Sequence, residues 1–274
     1  MSKSQHLREE GNRHFQKGDY VRAEAIYSQA LILDPSNPLL YTNRAMSRLR
    51  LSLWDSVITD CEACLRLSPD NLKAHYYLSQ AHLALRAYPD ALDHAYRAHK
   101  LSVASQDKSL SNITAQVLKC KKEKWDYEEK RRRRETSGLE QEVLSLLNKE
   151  KDQVLQQFEQ MSDDSGEREE LRKEFDDKIG RVREVFEKAR EKEERRREVP
   201  EWAVDDITFG FMVDPVITKT GKSYERTAIL EHLRRSQTDP LTREPLHPSE
   251  LRANLDLKQA CEEFLEENGW AADW

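Results

Sequence analysis

The sequence predicts a mainly α protein in three parts: a solenoid of three helical repeats with a capping helix, a charged helical hairpin, and a small α+β domain. Three observations predict this fold class. Tyr20, Trp54 and Tyr88 recur at an interval of 34 positions, helix breakers are absent over long stretches, and the composition changes near Pro200. We predict that the parts span residues 1–127, 128–198 and 199–274.

The 34-residue interval continues in five further columns of the first part. Those columns are Ala23, Val57, Ala91; Phe15, Leu49, Leu83; Tyr27, Cys61, Ala95; Ala30, Cys64, Ala98; and Leu33, Leu67, Leu101. An interval of this length, with small residues where two helices cross, resembles the tetratricopeptide repeat. The resemblance implies a solenoid that binds peptides. Cys61 and Cys64 spell CxxC, but they occupy small-residue columns, which favours packing over metal binding.

Charge and composition exclude several classes of function. The net charge of −6 gives no support to nucleic-acid binding, and the basic run 130–134 has glutamates beside it, as on a solvated helix face. No signal-like segment and no run of about 20 apolar residues occurs, so we expect no membrane partner. The four cysteines suit a reducing compartment, and we expect a cytoplasmic protein, with the nucleus left open as a further location. No cofactor is predicted.

The middle of the chain is predicted to be helical throughout. No proline lies between Pro89 and Pro200. Apolar residues at helical spacing in 112–125 predict a capping helix that runs on as a polar helix. Two further apolar stripes, in 139–161 and 171–186, are separated by a predicted turn at 162–166. One stripe per helix favours homodimerisation of this hairpin; the alternative is a monomeric charged spacer.

The third part carries a specific order of residues. Met212-Val-Asp-Pro215, Gly221-Lys-Ser-Tyr224-Glu-Arg226 and Asp239-Pro240-Leu-Thr-Arg243 follow one another in a domain of about 70 residues. This order resembles a U-box, which implies a RING-like fold held by hydrogen bonds and ion pairs instead of zinc. Too few Cys and His residues are present for two tetrahedral zinc sites. Candidates for the polar network are Asp214, Glu225, Arg226, Arg243, Glu244 and Asn254.

The U-box resemblance implies ubiquitin ligase activity through a docked ubiquitin-conjugating enzyme. The implied docking residues are Ile207, Phe209, His232, Pro240 and Arg243. Apolar loop residues can anchor a transient partner, and a cation beside them can hold the carbonyls of the bound thioester. Core packing of Ile207 and Phe209 is the alternative. No residue of this chain needs to act as a nucleophile, and we expect Cys261 to be structural.

Polar residues on the first helix of each repeat predict a ligand site. Arg8 and Asn12 share a helix face, and Asn43 and Lys73 lie in the first helices of the next two repeats, with no opposing acid. This set resembles the carboxylate clamp of chaperone-binding tetratricopeptide domains. The resemblance implies that the partner is the acidic C-terminal tail, ending in Glu-Glu-Val-Asp, of heat-shock chaperones of the seventy and ninety kilodalton classes. Further predicted tail contacts are Phe15, Tyr76, Tyr77 and Asn112.

Together these parts predict a ligase that brings a chaperone-bound client close to a conjugating enzyme loaded with ubiquitin. The rate increase comes from this proximity. Two alternatives remain at this point. One is a non-enzymatic co-chaperone scaffold that competes for chaperone tails. The other is a dimeric scaffold whose repeats bind internal motifs, in which case the four donors are ordinary solvated residues.

Overall fold

The computed structural model describes residues 2–161, 165–193 and 198–274. The chain forms two compact units, one made of the residues up to Asp126 together with Glu201–Trp274, the other of Tyr127–Pro200. The helices are α1 Lys3–Gln16, α2 Tyr20–Leu33, α3 Pro38–Arg50, α4 Trp54–Leu67, α5 Leu72–Ala84, α6 Tyr88–Ser105, α7 Leu110–Met161, α8 Ser165–Glu193, α9 Arg226–Arg235 and α10 Leu255–Glu267. The predicted mainly α fold with a small α+β domain is confirmed.

Helices α1 to α6 form three helical hairpins, which are the predicted repeats. The turn inside each hairpin places one residue in the left-handed region, at Gly18, Ser52 and Arg86, again 34 positions apart. Only the first of these is glycine, so the backbone repeats more faithfully than the sequence. Asn37 and Asn71 cap α3 and α5 by accepting a main-chain N–H with their side chains, which fixes where those helices begin.

The small-residue columns form the core between the helices. Ala23, Val57 and Ala91 are fully buried, so neighbouring helices can approach closely. Cys61 and Cys64 are also fully buried and pack in the cluster that contains Ala45 and Ala74, as the packing interpretation predicts.

A buried ion-pair network joins three helices of the solenoid. Asp60 on α4 accepts from Arg44 at 2.6 Å and from Arg48 at 3.0 Å, and Arg48 also pairs with Glu24 on α2 at 2.7 Å. The Asp60 side chain is almost fully buried, so replacing it alone would leave two arginines without their shared partner. The repeat columns gave no indication of this network.

Helix α7 begins as the predicted capping helix. Ile113, Val117 and Cys120 are fully buried, and Gln116 Nε2 donates to Ser79 Oγ on α5 at 3.2 Å. The helix then continues without interruption to Met161, a length of 52 residues. The polar continuation predicted from the sequence is thus part of one helix.

The second unit contains the predicted helical hairpin. Leu155 of α7 is buried, as are Phe175 and Ile179 of α8. Lys151 pairs with Asp176 across the two helices at 2.7 Å. Residues 162–164, which belong to the predicted turn, lie outside the described residues, as do 194–197 of the predicted spacer.

The C-terminal domain is built on a three-stranded antiparallel sheet in the order β2-β1-β3. The strands are β1 Pro215–Ile217, β2 Ser223–Glu225 and β3 Arg252–Ala253. Val216, Tyr224, Ile229, Leu233 and Leu246 form the core between the sheet and α9. Strands β1 and β2 form an antiparallel hairpin, α9 follows β2 directly, and α10 closes the domain after β3.

The end of the C-terminal domain packs against α7 within the first unit. A Cβ atom at Gly269 would lie 2.3 Å from the Cβ of Trp125, so only glycine allows this approach. Asp273 forms an ion pair with Lys122, and Val213 joins an apolar cluster with Leu83 and Ala91. This domain and the capping segment of α7 therefore share a packed interface. Across the described ranges, none of the helices could span a membrane.

Candidate sites in the C-terminal loops and the repeat groove

Two loops of the C-terminal domain carry most of the predicted docking residues. The first loop, 205–210, contains Ile207 and Phe209, and the second loop, 239–244, contains Pro240 and Arg243. The remaining predicted docking residue, His232 on α9, is half-buried, and its Nε2 lies 2.9 Å from the Thr238 carbonyl. A carbonyl oxygen can only accept, so Nε2 carries the proton. The bond holds Thr238, which directly precedes the second loop, against α9.

The predicted docking residues differ in exposure. Phe209 is 73% exposed and Arg243 is exposed, whereas Pro240 is half-buried. Ile207 is half-buried and packs against the core that contains Tyr224, so it stabilises the domain as well as bordering the loop surface. An exposed phenyl ring on one loop and an exposed guanidinium on the other are chemically suited to bind a partner protein.

The polar interactions of the domain only partly match the predicted network. Arg226 Nε donates to Asp214 at 2.6 Å, Lys258 lies 3.3 Å from the same carboxylate, and Asn254 donates to Ser223 at 3.0 Å. Burial disfavours the Asp214 carboxylate, but Arg226 outweighs this effect and lowers its pKa. Arg243 and Glu244 are exposed, which corrects their assignment to the network.

Glu225 lies in the interior of this domain. One carboxylate oxygen accepts from the main-chain N–H groups of Val213 and Asp214, at 2.8 and 2.9 Å. Burial raises the pKa of Glu225, with smaller contributions from Asp214 and Asp205. Its bonds link the start of β1 to the end of β2, so Glu225 belongs to the predicted network.

The sequence analysis missed two buried carboxylates, Asp205 and Asp239. Asp205 accepts from Thr208 and from the Glu225 N–H, and Asp239 accepts from Thr220, Tyr224, Leu241 and Thr242. Burial opposes ionisation of Asp239, but the two main-chain donors and the two hydroxyls lower its pKa. The Asp-x-Ile/Leu-Thr spacing shared by the two loops is the sequence signal that could have identified both residues.

The second candidate site lies on the first helices of the repeats, where α3 contacts both α1 and α5. Asn12 Oδ1 accepts from the Tyr27 hydroxyl at 2.7 Å and from Asn43 Nδ2 at 3.2 Å. With its oxygen occupied in this way, Asn12 has both amide hydrogens available for a ligand. Burial raises the pKa of Tyr27 to about 12, and Arg8 opposes this shift, so Tyr27 stays a donor.

The two cations of the predicted clamp are available as donors. Arg8 Nε is buried and has no hydrogen-bond partner among the described residues, and Lys73 is exposed. The expectation that no acid opposes the donors needs correction, because Asp107 lies near enough to interact with Lys73. Two bonds from Ser109 lower the pKa of Asp107, and Lys73 adds a smaller effect.

The predicted apolar contacts of the groove divide between surface and core. Phe15 is half-buried with its ring 5.1 Å from that of Tyr20, and Tyr76 is half-buried. Tyr77 is only 9% exposed, and its hydroxyl donates to Met46 Sδ at 3.0 Å. Tyr77 therefore belongs to the core, which corrects its assignment to the groove. Asn112 lies exposed in the first turn of α7.

Comparison with known proteins identifies the C-terminal domain and the family of the chain. A family model described as "U-box domain" matches residues 199–270. The Arabidopsis thaliana protein "E3 ubiquitin-protein ligase CHIP" is 31% identical over 271 residues, which are 98% of this chain and 95% of that protein. The chain belongs to the CHIP family of E3 ubiquitin-protein ligases. As a CHIP-family protein it is a U-box ubiquitin ligase, so the reading as a non-enzymatic scaffold is set aside.

Other similarities to this CHIP-family protein cover less of the chain. Stress-induced-phosphoprotein 1 of Caenorhabditis elegans is 34% identical over 96 residues, which are 32% of this chain and 30% of that protein. The TPR2B domain of yeast Sti1, solved as a complex with pHsp70, is 24% identical. That match covers 43% of this chain and 94% of the other, with a TM-score of 0.41.

Proposed function

We propose that this ligase binds the acidic C-terminal tail of heat-shock chaperones of the seventy and ninety kilodalton classes in its repeat groove. The conjugating enzyme docks on the two C-terminal loops and ubiquitinates the chaperone-bound client, which marks it for proteasomal degradation. The Asn12 amide carries the chaperone part of the proposal. Its oxygen is occupied by Tyr27 and Asn43, so the site offers donors to a ligand.

The chemistry of the groove suits a terminal carboxylate. Arg8, Asn12, Asn43 and Lys73 provide donors, two of them cationic, and charge-assisted hydrogen bonds are the strongest type. A chain terminus supplies two carboxylates when its last residue is Asp, whereas an internal segment lacks the free α-carboxylate. Lys73 is exposed, and Arg8 Nε has no partner in the part of the chain that the structure describes, which is consistent with a site that is completed by such a ligand.

The loops suit ubiquitin transfer from a conjugating enzyme that carries ubiquitin as a thioester, with no covalent intermediate on this chain. Ubiquitin moves from the cysteine of the conjugating enzyme to a lysine amine of the client: the thioester C–S bond breaks and an amide bond forms. All four cysteines of this chain are buried, and burial raises the pKa of Cys261 to about 12 and that of Cys64 to about 11. Neutral, enclosed thiols are poor nucleophiles, which supports a mechanism of proximity.

Homodimerisation through the helical hairpin forms part of the proposal. Leu139 and Leu146 lie seven residues apart on α7 and are 53% and 59% exposed, a spacing that places both on one helix face. A second copy of the hairpin offers a matching apolar stripe. We further propose that the protein works in the cytoplasm, because its four cysteines suit a reducing compartment, with the nucleus as an open second location.

A reconstituted reaction tests the proposal. It contains activating enzyme, a conjugating enzyme, ubiquitin and a cytosolic seventy-kilodalton chaperone, with the intact chain, Phe209→Ala or Lys73→Ala. We expect both variants to lose chaperone ubiquitination and only Lys73→Ala to keep self-ubiquitination. Equal chaperone ubiquitination by Lys73→Ala and the intact chain would refute the groove as the tail site.

A further inference from the structure

The two loops of the C-terminal domain share one backbone plan. In the first loop, Asp205 N donates to the Gly210 carbonyl at 2.9 Å and Phe209 N donates to the Asp205 carbonyl at 2.9 Å. In the second loop, Asp239 N donates to the Glu244 carbonyl at 2.8 Å and Arg243 N donates to the Asp239 carbonyl at 2.9 Å. In each loop, therefore, the Asp N–H bonds the carbonyl of the residue five positions later, and the Asp carbonyl accepts from the N–H of the residue four positions later.

The shared plan includes a strained residue at the same place. Phe209 has φ 57° and Arg243 has φ 60°, both in the left-handed region. Side chains with a Cβ disfavour this region, and neither residue is glycine, asparagine or aspartate. The surrounding bonds must therefore impose the conformation. In both loops the strained residue is one of the predicted docking residues, and its side chain is exposed.

The two aspartates supply the bonds that impose this shape. Asp205 Oδ2 accepts from the N–H and the hydroxyl of Thr208, at 2.8 and 2.7 Å. Asp239 Oδ1 accepts from the N–H groups of Leu241 and Thr242, at 2.9 and 3.2 Å. In each loop, then, a carboxylate holds the residue that immediately precedes the left-handed one.

The same carboxylates connect the loops to strand β2. Asp205 Oδ1 accepts from the Glu225 N–H at 2.9 Å, and Asp239 Oδ1 accepts from the Tyr224 hydroxyl at 3.1 Å. Asp239 Oδ2 also accepts from the Thr220 hydroxyl at 3.0 Å. Both aspartates are almost fully buried, although neither forms an ion pair within the described ranges. Adjacent residues of one strand thus hold both loops.

We infer that Asp205 and Asp239 are paired positioning residues for the conjugating enzyme. Each sets the left-handed conformation of one docking residue, Phe209 or Arg243, and ties it to the same strand. The two contacts therefore keep a fixed spacing before the partner arrives, which lowers the entropic cost of docking. This inference rests on the proposed docking of a conjugating enzyme on these loops.

The two aspartates differ in how they tolerate asparagine. Both oxygens of Asp205 accept main-chain N–H groups, so an amide NH2 would face a donor in either orientation. At Asp239, Oδ2 accepts a hydrogen bond only from the Thr220 hydroxyl. A hydroxyl can also accept, so it tolerates an amide NH2 at this position. Asp239→Asn therefore retains the bonds to the second loop, whereas Asp205→Asn loses either the bond from the Thr208 N–H or the bond from the Glu225 N–H.

The test measures ubiquitin discharge by the full-length chain against the concentration of ubiquitin-charged conjugating enzyme. We expect Asp205→Asn and Asp239→Ala to raise KM about tenfold with kcat nearly unchanged, and Asp239→Asn to raise it less than about threefold. Asp256→Asn, an exposed position on α10, serves as the matched control and should keep the KM of the intact chain. Affinity for a chaperone-tail peptide should not change in any variant.

The outcomes separate the inference from the proposed function. An intact chain that discharges no conjugating enzyme refutes the docking proposal itself. An active intact chain whose Asp239→Ala variant is folded and has an unchanged KM overturns the inference, as does Asp239→Asn matching Asp239→Ala. Should Asp239→Ala unfold, Tyr224→Phe removes one donor to Asp239 and decides the matter: a raised KM supports the inference, and an unchanged KM overturns it.

Discussion

The side-chain amide of Asn43 donates to the side-chain oxygen Oδ1 of Asn12 at 3.2 Å, and this bond joins the first helices of two successive repeats. Because the Tyr27 hydroxyl donates to the same oxygen, the Asn12 side chain cannot rotate without losing two bonds. The donor surface of the groove is therefore ordered before a ligand binds. Lys73 on α5 is exposed and takes no part in these two bonds, so it can be replaced without disturbing them.

Replacing Lys73 with Ala should weaken binding of an acidic peptide that ends in Glu-Glu-Val-Asp at least about tenfold, because one charge-assisted bond is lost. Calorimetric titration measures the change. Lys100→Ala removes an exposed cation from α6 and should leave affinity unchanged. A peptide with an amidated C-terminus should bind the intact chain poorly; equal binding of both peptides would contradict recognition of the chain end.

Leu241 should contribute to docking of the conjugating enzyme. It is 58% exposed in the second loop, between Pro240 and Arg243, at the position equivalent to Ile207 in the first loop. Leu241→Ala should raise KM for the charged conjugating enzyme about three- to tenfold through loss of apolar contact. Leu255→Ala, at a more exposed position of the same domain, is the control. Identical KM values for the two variants would argue against a contact at Leu241.

Substituting Gly269 should destabilise the first unit. A Cβ there would come within 2.3 Å of the Trp125 Cβ, and relieving such overlap costs about 1–3 kcal/mol. Thermal unfolding of Gly269→Ala should therefore begin at a lower temperature. Gly138→Ala provides the matched control, since its added methyl group meets no atom within 4 Å. In a helix interior that change should stabilise by about 0.5–1 kcal/mol, and destabilisation by both variants would contradict the packing argument.

The histidines of the third repeat should make stability depend on pH. His75 Nδ1 and His94 Nδ1 lie 3.1 Å apart, and the His94 ring stacks on His82. Burial and the neighbouring histidines lower the pKa of His94 to about 4, with Arg97 adding to this and Asp93 opposing it. Burial also lowers the pKa of His75, although the Pro69 carbonyl, Asp93 and Asp70 oppose this shift.

The sign of the effect follows from these shifts. His94 takes up a proton below about pH 6.5 in the unfolded chain but only near pH 4 in the folded chain, so stability falls as the pH drops through this window. The lowered pKa of His75 acts in the same direction. Denaturant unfolding should give a smaller decrease for His94→Gln than for the intact chain. His6→Gln, at an exposed position of α1, should leave the pH dependence unaltered. An identical decrease in His94→Gln would remove His94 as its source.

The exposed stripe on α7 should determine the oligomeric state. Leu146→Glu places a charge in the proposed interface and should shift the protein from dimer to monomer in sedimentation experiments, because the charge must be desolvated. Val21→Glu introduces the same charge at an exposed apolar position of α2 and serves as control. A monomeric intact chain, or a dimer that tolerates Leu146→Glu, would favour the charged-spacer alternative.

The sequence predicted the repeats well because helix crossings require small residues at a fixed interval, and Ala23, Val57 and Ala91 obey that requirement. The site was predicted less completely. Tyr77 satisfies an aromatic pattern, yet its neighbours on α3 and α4 enclose it. Asp205 and Asp239 bond main-chain groups, which residue types cannot reveal, and Asp107 approaches Lys73 only after the chain turns between α6 and α7.

The carboxylates that organise the two loops have a consequence for protein quality control under stress. Thiolate-bound zinc is lost when cysteines are oxidised or when chelators compete for the metal. Asp205 and Asp239 use oxygen acceptors, and neither loop contains a cysteine. A surface ordered in this way has no thiolate and no metal ion to lose, so oxidation or chelation that dismantles a zinc site should leave its shape intact.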